Sequence, residues 1–459
     1  MIKKVKPATV DRIVYSFIGI FFVWILLTLD YSKSNLWVVL TFLLIGGFSF
    51  YQIITSEKNI TLKRIFYIFV FIFMFFAPLQ QYLSGTVLWK STGAKLWYSD
   101  QEYLYANLLI SLFLLLFERS YEVAEYRDKP KNPMFQPVDT ARSSAYKFTV
   151  VVLNVVSVLV CVWLLVSGNI LGRAGIDFIS FKNLSDQIVR ILRYFPVCCL
   201  LFSVSLWQIK KIRYSKSVFL YAVESLFIYF PFYGSVSRFL LFGAYLSVGS
   251  LFFYRFRYKS VYFLIFVVGF FIVFSAFNFF KSHTLSEWYK FSLEIVDFKT
   301  PDYDAYQIFM ATVKYTALKG VCWGKNLLTA IACMIPRRVW GSKMLPSGEV
   351  VLRYFQSNFT NVSCPWFAEF YFAFGSWGVL LGAIVTGFLC KYFDGFYDRG
   401  SVFLRSVFCV LTGLFIYILR GALLPAFSYT VALLVPLVLI YLTEKFFLFF
   451  VKRREKIEG

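Results

Sequence analysis

The chain has 459 residues, of which 59% are hydrophobic and 22% aromatic, and it carries a formal charge of +22 at pH 7. Such an apolar composition excludes a water-soluble globule, whose surface must be largely polar. A nucleic-acid partner, the usual reading of so basic a soluble protein, is excluded as well: the Lys and Arg residues form short clusters between apolar runs, which makes the charge a signal of topology.

Runs of roughly 17 to 25 apolar residues, the length needed to cross a bilayer, occur about twelve times and predict an all-α integral membrane protein. In chain order they cover Ile13–Leu29, Leu36–Ile54, Ile65–Leu83, Tyr103–Phe117, Phe148–Ser167 and Ile188–Ile209. Ser217–Phe232 and Phe239–Tyr254 form a hairpin, Val261–Phe280 follows, and Trp377–Phe393, Val402–Ile418 and Ser428–Phe450 close the series. The first run has no small-residue cleavage site and many apolar runs follow it, so no cleavable signal peptide is predicted. The predicted organisation is nine spans in 1–280, a large loop at 281–365, three spans in 366–450 and a basic tail at 451–459.

Basic residues are retained on the cytoplasmic side of a membrane, and here they alternate consistently. One set of loops holds about 28 of them: the N-terminus, Lys58/Lys63/Arg64, Arg119–Lys147, Lys210–Lys216, Arg255–Lys259, Lys391–Arg405 and the tail from Lys445. The opposite short loops hold about seven: Lys33, Lys90, Lys95, Arg173, Lys182, Arg238 and Arg420. Both termini are therefore predicted to be cytoplasmic. The stretch Lys281–Pro365 falls outside by parity, too polar to span and too long for a simple connector. Within it, Leu327–Ile335 is apolar but shorter than a span and is ended by Pro336, which predicts short re-entrant or interfacial helices able to roof a cavity. Lys129–Val138 is a proline-rich cytoplasmic connector.

Charged groups are costly at membrane depth, so those that interrupt apolar runs are candidates for function. Arg238 lies at the outer tip of the hairpin, Arg420 opens the connection between the last two spans, and Arg190 and Arg193 enter the sixth span from outside. The loop adds Arg337 and Arg338. A guanidinium fork matches phosphate oxygens and keeps its charge, so converging arginines suit a lipid-linked pyrophosphate and can stabilise its departure without a metal. The competing reading is that each snorkels to headgroups or caps a helix end. Proton removal from an acceptor hydroxyl calls for a carboxylate or histidine, and the outer candidates are Glu349, Glu369, Asp302, Asp304 and His283. Asp302-Tyr303-Asp304 looks like a metal-binding DxD, but a solvated turn is the expectation because nucleotide sugars are cytoplasmic. His283 could equally be an interfacial residue. Five cysteines (Cys161, Cys198, Cys199, Cys390, Cys409) read as small hydrophobes in apolar runs, while Cys322, Cys333 and Cys364 share the loop and leave a disulfide open.

Ile335-Pro336-Arg337-Arg338-Val339-Trp340-Gly341-Ser342-Lys343, followed by Glu369-Phe370-Tyr371-Phe372-Ala373-Phe374-Gly375-Ser376-Trp377-Gly378, resembles the bacterial Wzy-type O-antigen and capsule polymerases. Arg238 after Ser-Val-Ser, the Arg420-Gly421 pair and the long penultimate outer loop match that family's basic positions and topology. A family spacing of ten residues between arginine and glycine is similar to Arg337 and Gly348. The copy in an earlier outer loop fails, since Arg173 finds Leu184 where glycine would stand. The resemblance implies a GT-C-like, metal-independent inner-membrane glycosyltransferase with no cofactor. Its donor and acceptor would be undecaprenyl-pyrophosphate-linked oligosaccharides, its surroundings membrane lipids, and a chain-length regulator protein would be a further partner. In that scheme Arg337, Arg338, Arg238 and Arg420 hold the pyrophosphate and Glu349, Asp304 or His283 is the base. Arg190, Arg193, Arg173, Glu369 and Tyr371 would contact substrate, with a helix-capping role for Glu369 equally open. Rival readings are an O-antigen ligase, expected to use a loop histidine, and a lipid-linked oligosaccharide flippase, which tends to have two related halves and short loops.

Overall fold

A computed structural model of the chain describes residues 7–28, 32–127, 140–168, 170, 186–230, 236–254, 256, 258–269, 279, 285–290 and 298–458. These residues form helices and connecting turns, with no strand among them. The helices are α1 (Pro7–Leu27), α2 (Leu36–Thr55), α3 (Leu62–Leu83), α4 (Asp100–Arg127), α5 (Thr140–Val166), α6 (Asp186–Lys210), α7 (Ser215–Ile228), α8 (Arg238–Phe253) and α9 (Ser260–Val268). The large loop contributes α10 (Ala305–Lys319), α11 (Lys325–Ile331) and α12 (Ser347–Tyr354), and α13 (Trp366–Asp394), α14 (Val402–Arg420) and α15 (Leu423–Glu458) complete the bundle.

Nine helices among the described residues are long and apolar enough to cross a membrane: α1 to α6 and α13 to α15. The three other expected spans are described as the shorter helices α7, α8 and α9, of 14, 16 and 9 residues. Much of the ninth expected span and the Lys129–Val138 connector lie outside the described residues. The helix α3 carries an unbroken apolar run from Ile65 to Leu79, as suits a helix enclosed by others, and 94% of its span is buried. Around it α4 packs along α13, α8 along α14, and α15 against α5 and α6.

Several helices run past the expected ends, α4 by ten residues to Arg127 and α5 by eight at its start, and two further differences concern the last part of the chain. Helix α13 begins at Trp366, well before the expected Trp377, because the Glu369 carboxylate that interrupts the apolar run is satisfied inside the bundle. The Glu369–Gly378 motif lies within this helix, which contains a kink where Phe374 leaves helical geometry and Gly375 takes φ 64°. Helix α15 continues to Glu458, so the basic tail extends the last helix.

The two sets of loops separate to opposite ends of the bundle. At one end Ser260 donates to Asp11, Asn59 donates to the carbonyls of Phe253 and Phe256, Lys58 pairs with Asp398 and Tyr121 donates to Asp394. At the other, the backbone N–H of Ser32 reaches Leu83 O, Lys95 N–H reaches Phe355 O, and the large loop closes over the helix ends. A buried glutamine pair pins that loop. Gln81 at the end of α3 donates to the carbonyls of Phe298 and Tyr303, at 2.8 and 3.0 Å, and Gln307 donates to Gln81 Oε1 at 3.0 Å. Buried amides with all their partners made hold one geometry, and this one fixes the Pro301–Asp304 turn above α3.

Candidate functional site

Between the bundle and the large loop lies a cavity of about 710 Å³, within the ~300–1,000 Å³ usual for small-molecule sites. Arg190, Arg238, Arg337 and Arg420 all line it, together with Asp302 and Asp304. The arginines come from four separate segments. Four guanidinium groups against two carboxylates leave an excess of two positive charges among the described lining residues.

Two of the arginines meet because α8 and α14 cross at small residues. A Cβ on Gly413 would lie 2.2 Å from Gly243 O and 2.1 Å from Ser247 Oγ, so only glycine permits the crossing. Arg238 opens α8 and Arg420 closes α14, each within about 11 Å of that point at 1.5 Å per residue. Arg420 suits its place, since a cation complements the negative end of a helix dipole. Arg238 stands at the positive end of α8, where charge is unfavourable, and Asp302 offsets it with a two-pronged pair at 2.9 and 3.1 Å. Arg420 Nη2 donates to Asp304 Oδ1 at 3.1 Å, and its guanidinium lies 4.7 Å over the Phe239 ring. Its Nε is closed to solvent and has no acceptor among the described residues.

Arg190 and Arg337 are held differently. The Arg190 guanidinium stacks 3.8 Å over the Tyr429 ring, and no carboxylate pairs with it among the described residues. Arg337 donates to the carbonyls of Lys343 and Met344 at 2.7 and 3.0 Å. Aromatic faces and carbonyls position these two cations without cancelling their charge.

Asp304 is fully buried and accepts from Ser363 Oγ at 2.6 Å and Ser363 N–H at 3.2 Å. Burial pushes its carboxyl above the ordinary aspartate range, and Arg420 and Ser363 pull part of that back. The Asp302–Asp304 turn is therefore not the solvated turn expected from the sequence. Gly348 explains itself by the same contact: a Cβ there would lie 2.2 Å from Ser363 O, so α12 can approach the Ser363 backbone only with glycine.

The other sequence candidates sit elsewhere. Arg338 is exposed and does not line the cavity, although it adjoins Arg337. Glu349 pairs with Arg353 one turn along α12. Glu369 is buried and accepts from Asn326, Ser347 and the Leu423 N–H, which opens α15, so it ties three helices together at 2.7 to 2.8 Å. Tyr371 shares a 3.3 Å contact with the Tyr105 hydroxyl, away from the cavity. Arg193 lies three residues beyond Arg190 on α6 and is not among the lining residues. Arg173 and His283 lie outside the described residues. All eight cysteines, including the three of the loop, are unpaired.

Sequence reasoning missed the aromatic half of the site. Tyr429 and Tyr417 pack edge to face at 5.6 Å beside Arg190, and Trp89 stacks on Phe359 at 5.4 Å across the cavity wall. Gln187, one turn before Arg190, donates to Ser428 at 2.5 Å. None of these stands out in a chain that is 22% aromatic. Comparison with known proteins finds no family model, no curated protein and no solved structure that matches the chain.

Proposed function

We propose that the chain is a polysaccharide polymerase, a GT-C-like membrane glycosyltransferase with about twelve spans that works at the periplasmic face of a bacterial inner membrane. It moves a growing glycan from undecaprenyl pyrophosphate onto the sugar of an incoming lipid-linked repeat unit. One observation carries the reading: Arg190, Arg238, Arg337 and Arg420 line a single cavity between the bundle and its large loop. A diphosphate diester carries two negative charges, which the excess of two positive charges suits. As the bond from sugar to diphosphate breaks, the leaving diphosphate gains charge, and guanidinium groups already in place favour that state over the ground state. Asp304, buried in the same cavity beside Arg420, is the group best placed to take the acceptor's proton. The polarity of the loops, with basic residues gathered at the opposite end, supports an extracytoplasmic site.

The test uses the full chain purified into lipid nanodiscs and supplied with lipid-linked repeat units. A polymerase lengthens them into a ladder with no gradient or second compartment. Units that stay at their original length count for the flippase, and transfer only when a lipid A core acceptor is added counts for the ligase.

A further inference from the structure

We infer that Phe359 and Trp89 form a sugar-binding subsite in the wall of the arginine cavity, taking one pyranose ring of the glycan. The inference rests on the polymerase reading for which glycan arrives, and on the geometry for where it sits.

Trp89 lies in the connection between α3 and α4 with φ 65° and ψ −5°. A left-handed backbone is uncommon outside glycine and costs about 1 kcal/mol or more in a bulky residue, so it persists only where its surroundings enforce it. They do so here through the large loop. Leu88 N–H donates to Gln307 at 2.8 Å, the Thr92 and Ser357 hydroxyls meet at 2.7 Å, and Asn358 N–H donates to Thr92 O at 2.9 Å. The result is an indole stacked on Phe359 with planes only 11° apart. Trp89 is 6% exposed while Phe359 is 45% exposed, so one ring backs the pair and the other offers its face.

Two further features point to a polyhydroxylated ligand. Trp89 Nε1–H is shut from solvent and has no acceptor among the described residues, a cost of about 1–3 kcal/mol in a buried donor. Asn361 and Ser363 stand in the same lining, within four residues of Phe359. A sugar ring has an apolar C–H face, which suits an aromatic plane, and an edge of hydroxyls, which suits an unfilled donor. The pyranose seats on the exposed face of Phe359, and a hydroxyl of the same glycan, held at the edge of the stack, serves the Trp89 Nε1–H.

The probe is the oligosaccharide repeat unit released from the producing cell's own lipid-linked pool, free of lipid and phosphate, added to the full chain in nanodiscs. Saturation-transfer NMR of the wild-type protein should mark sugar C–H protons, and Phe359→Leu should remove at least about half of that signal while Phe359→Tyr keeps it. Trp89→Phe keeps an aromatic ring in the stack and removes the donor. It should raise KM for the acceptor about tenfold, the loss of one hydrogen bond, with kcat within about twofold of wild type. The inference fails if the wild type shows no transfer, if Phe359→Leu binds like wild type, if Phe359→Tyr loses as much as leucine, or if Trp89→Phe leaves KM unchanged. Ladder formation by the wild type scores the polymerase reading separately. A chain that builds ladders without saturation transfer loses the subsite alone, and one that binds the free glycan without building ladders loses the polymerase alone.

Discussion

Arg420 is where the structure makes the sharpest demand, because its guanidinium does several jobs that a simple cation cannot. Nη2 reaches Asp304 at 3.1 Å, the plane lies 4.7 Å over Phe239, and Nε is left without an acceptor among the described residues. With side-chain exposures of 13% for Arg420 and 1% for Asp304, the pair is largely desolvated. Arg420→Ala therefore leaves a buried carboxylate uncompensated, a loss of about 3–5 kcal/mol that a thermal melt in nanodiscs would register. Arg420→Lys keeps the positive charge beside Asp304 and most of that stability, but it removes the planar fork and the Nε donor. On the polymerase reading, loss of one preorganised donor to a developing oxyanion costs about 10²–10³ in kcat, so ladder growth by the lysine variant should fall about a hundredfold. A lysine variant that extends lipid-linked units within about fivefold of the wild-type rate would mean that Arg420 only neutralises Asp304, and its role at the diphosphate would be lost.

Arg337→Ala should reduce chain growth at least about a hundredfold, whereas Arg338→Ala, outside the cavity lining, should stay within about twofold in the same ladder assay. Gly348→Ala should cost about 1–3 kcal/mol of stability, read as a lower melting temperature, because its Cβ would meet the Ser363 backbone at 2.2 Å and the clash can be relieved only by moving α12. Glu369→Ala should act on stability first: it strips the acceptor from Asn326, Ser347 and the start of α15, and should destabilise the chain by about 2–4 kcal/mol, visible as a lower melting point at unchanged KM.

The spans were legible in the sequence because bilayer crossing is a matter of length and hydropathy, and α2, α3, α5, α6, α14 and α15 all lie where apolar runs predict them. The start of α13 was not, since Glu369 reads as an interruption until its three donors, from Ser347, Asn326 and Leu423, are seen to converge. In the site, arginine was legible for a physical reason: a charge inside an apolar run is costly enough to need a purpose, and Arg190, Arg238 and Arg420 were found that way. The partners were not. Asp302 and Asp304 carry no signal of burial in their own neighbourhood, and their depth comes from Gln81, far away in the chain, pinning the turn. The aromatic platforms were hidden by composition, because with 57 Phe, 31 Tyr and 11 Trp no single ring is conspicuous. The adjacency of Arg337 and Arg338 shows the same limit, since only the turn after Pro336 decides which of the two reaches the cavity.

On the polymerase reading, the pairing of Asp304 with Arg420 couples the two charges that change during transfer. When Asp304 accepts the acceptor's proton it stops compensating Arg420, and it does so as the leaving diphosphate gains negative charge, so Arg420 becomes most available when most needed. The pH dependence follows in sign. Burial raises the Asp304 carboxyl above the usual value of ~3.9, so the active carboxylate forms only above the ordinary aspartate range and kcat should climb with pH through that raised value. The folded chain also holds this proton longer than the unfolded one, so the group's stabilising contribution is complete below about pH 3.9 and is lost as pH rises through the folded value. Asp304→Asn should abolish the acidic limb and lower kcat by about 10²–10⁴-fold, while KM for the lipid-linked donor falls or holds, because Arg420 is then permanently uncompensated. A variant whose acidic limb stays in place would remove Asp304 as the base, and one whose donor KM rises in step with the fall in kcat would show that Asp304 positions Arg420 and does not hold it in reserve.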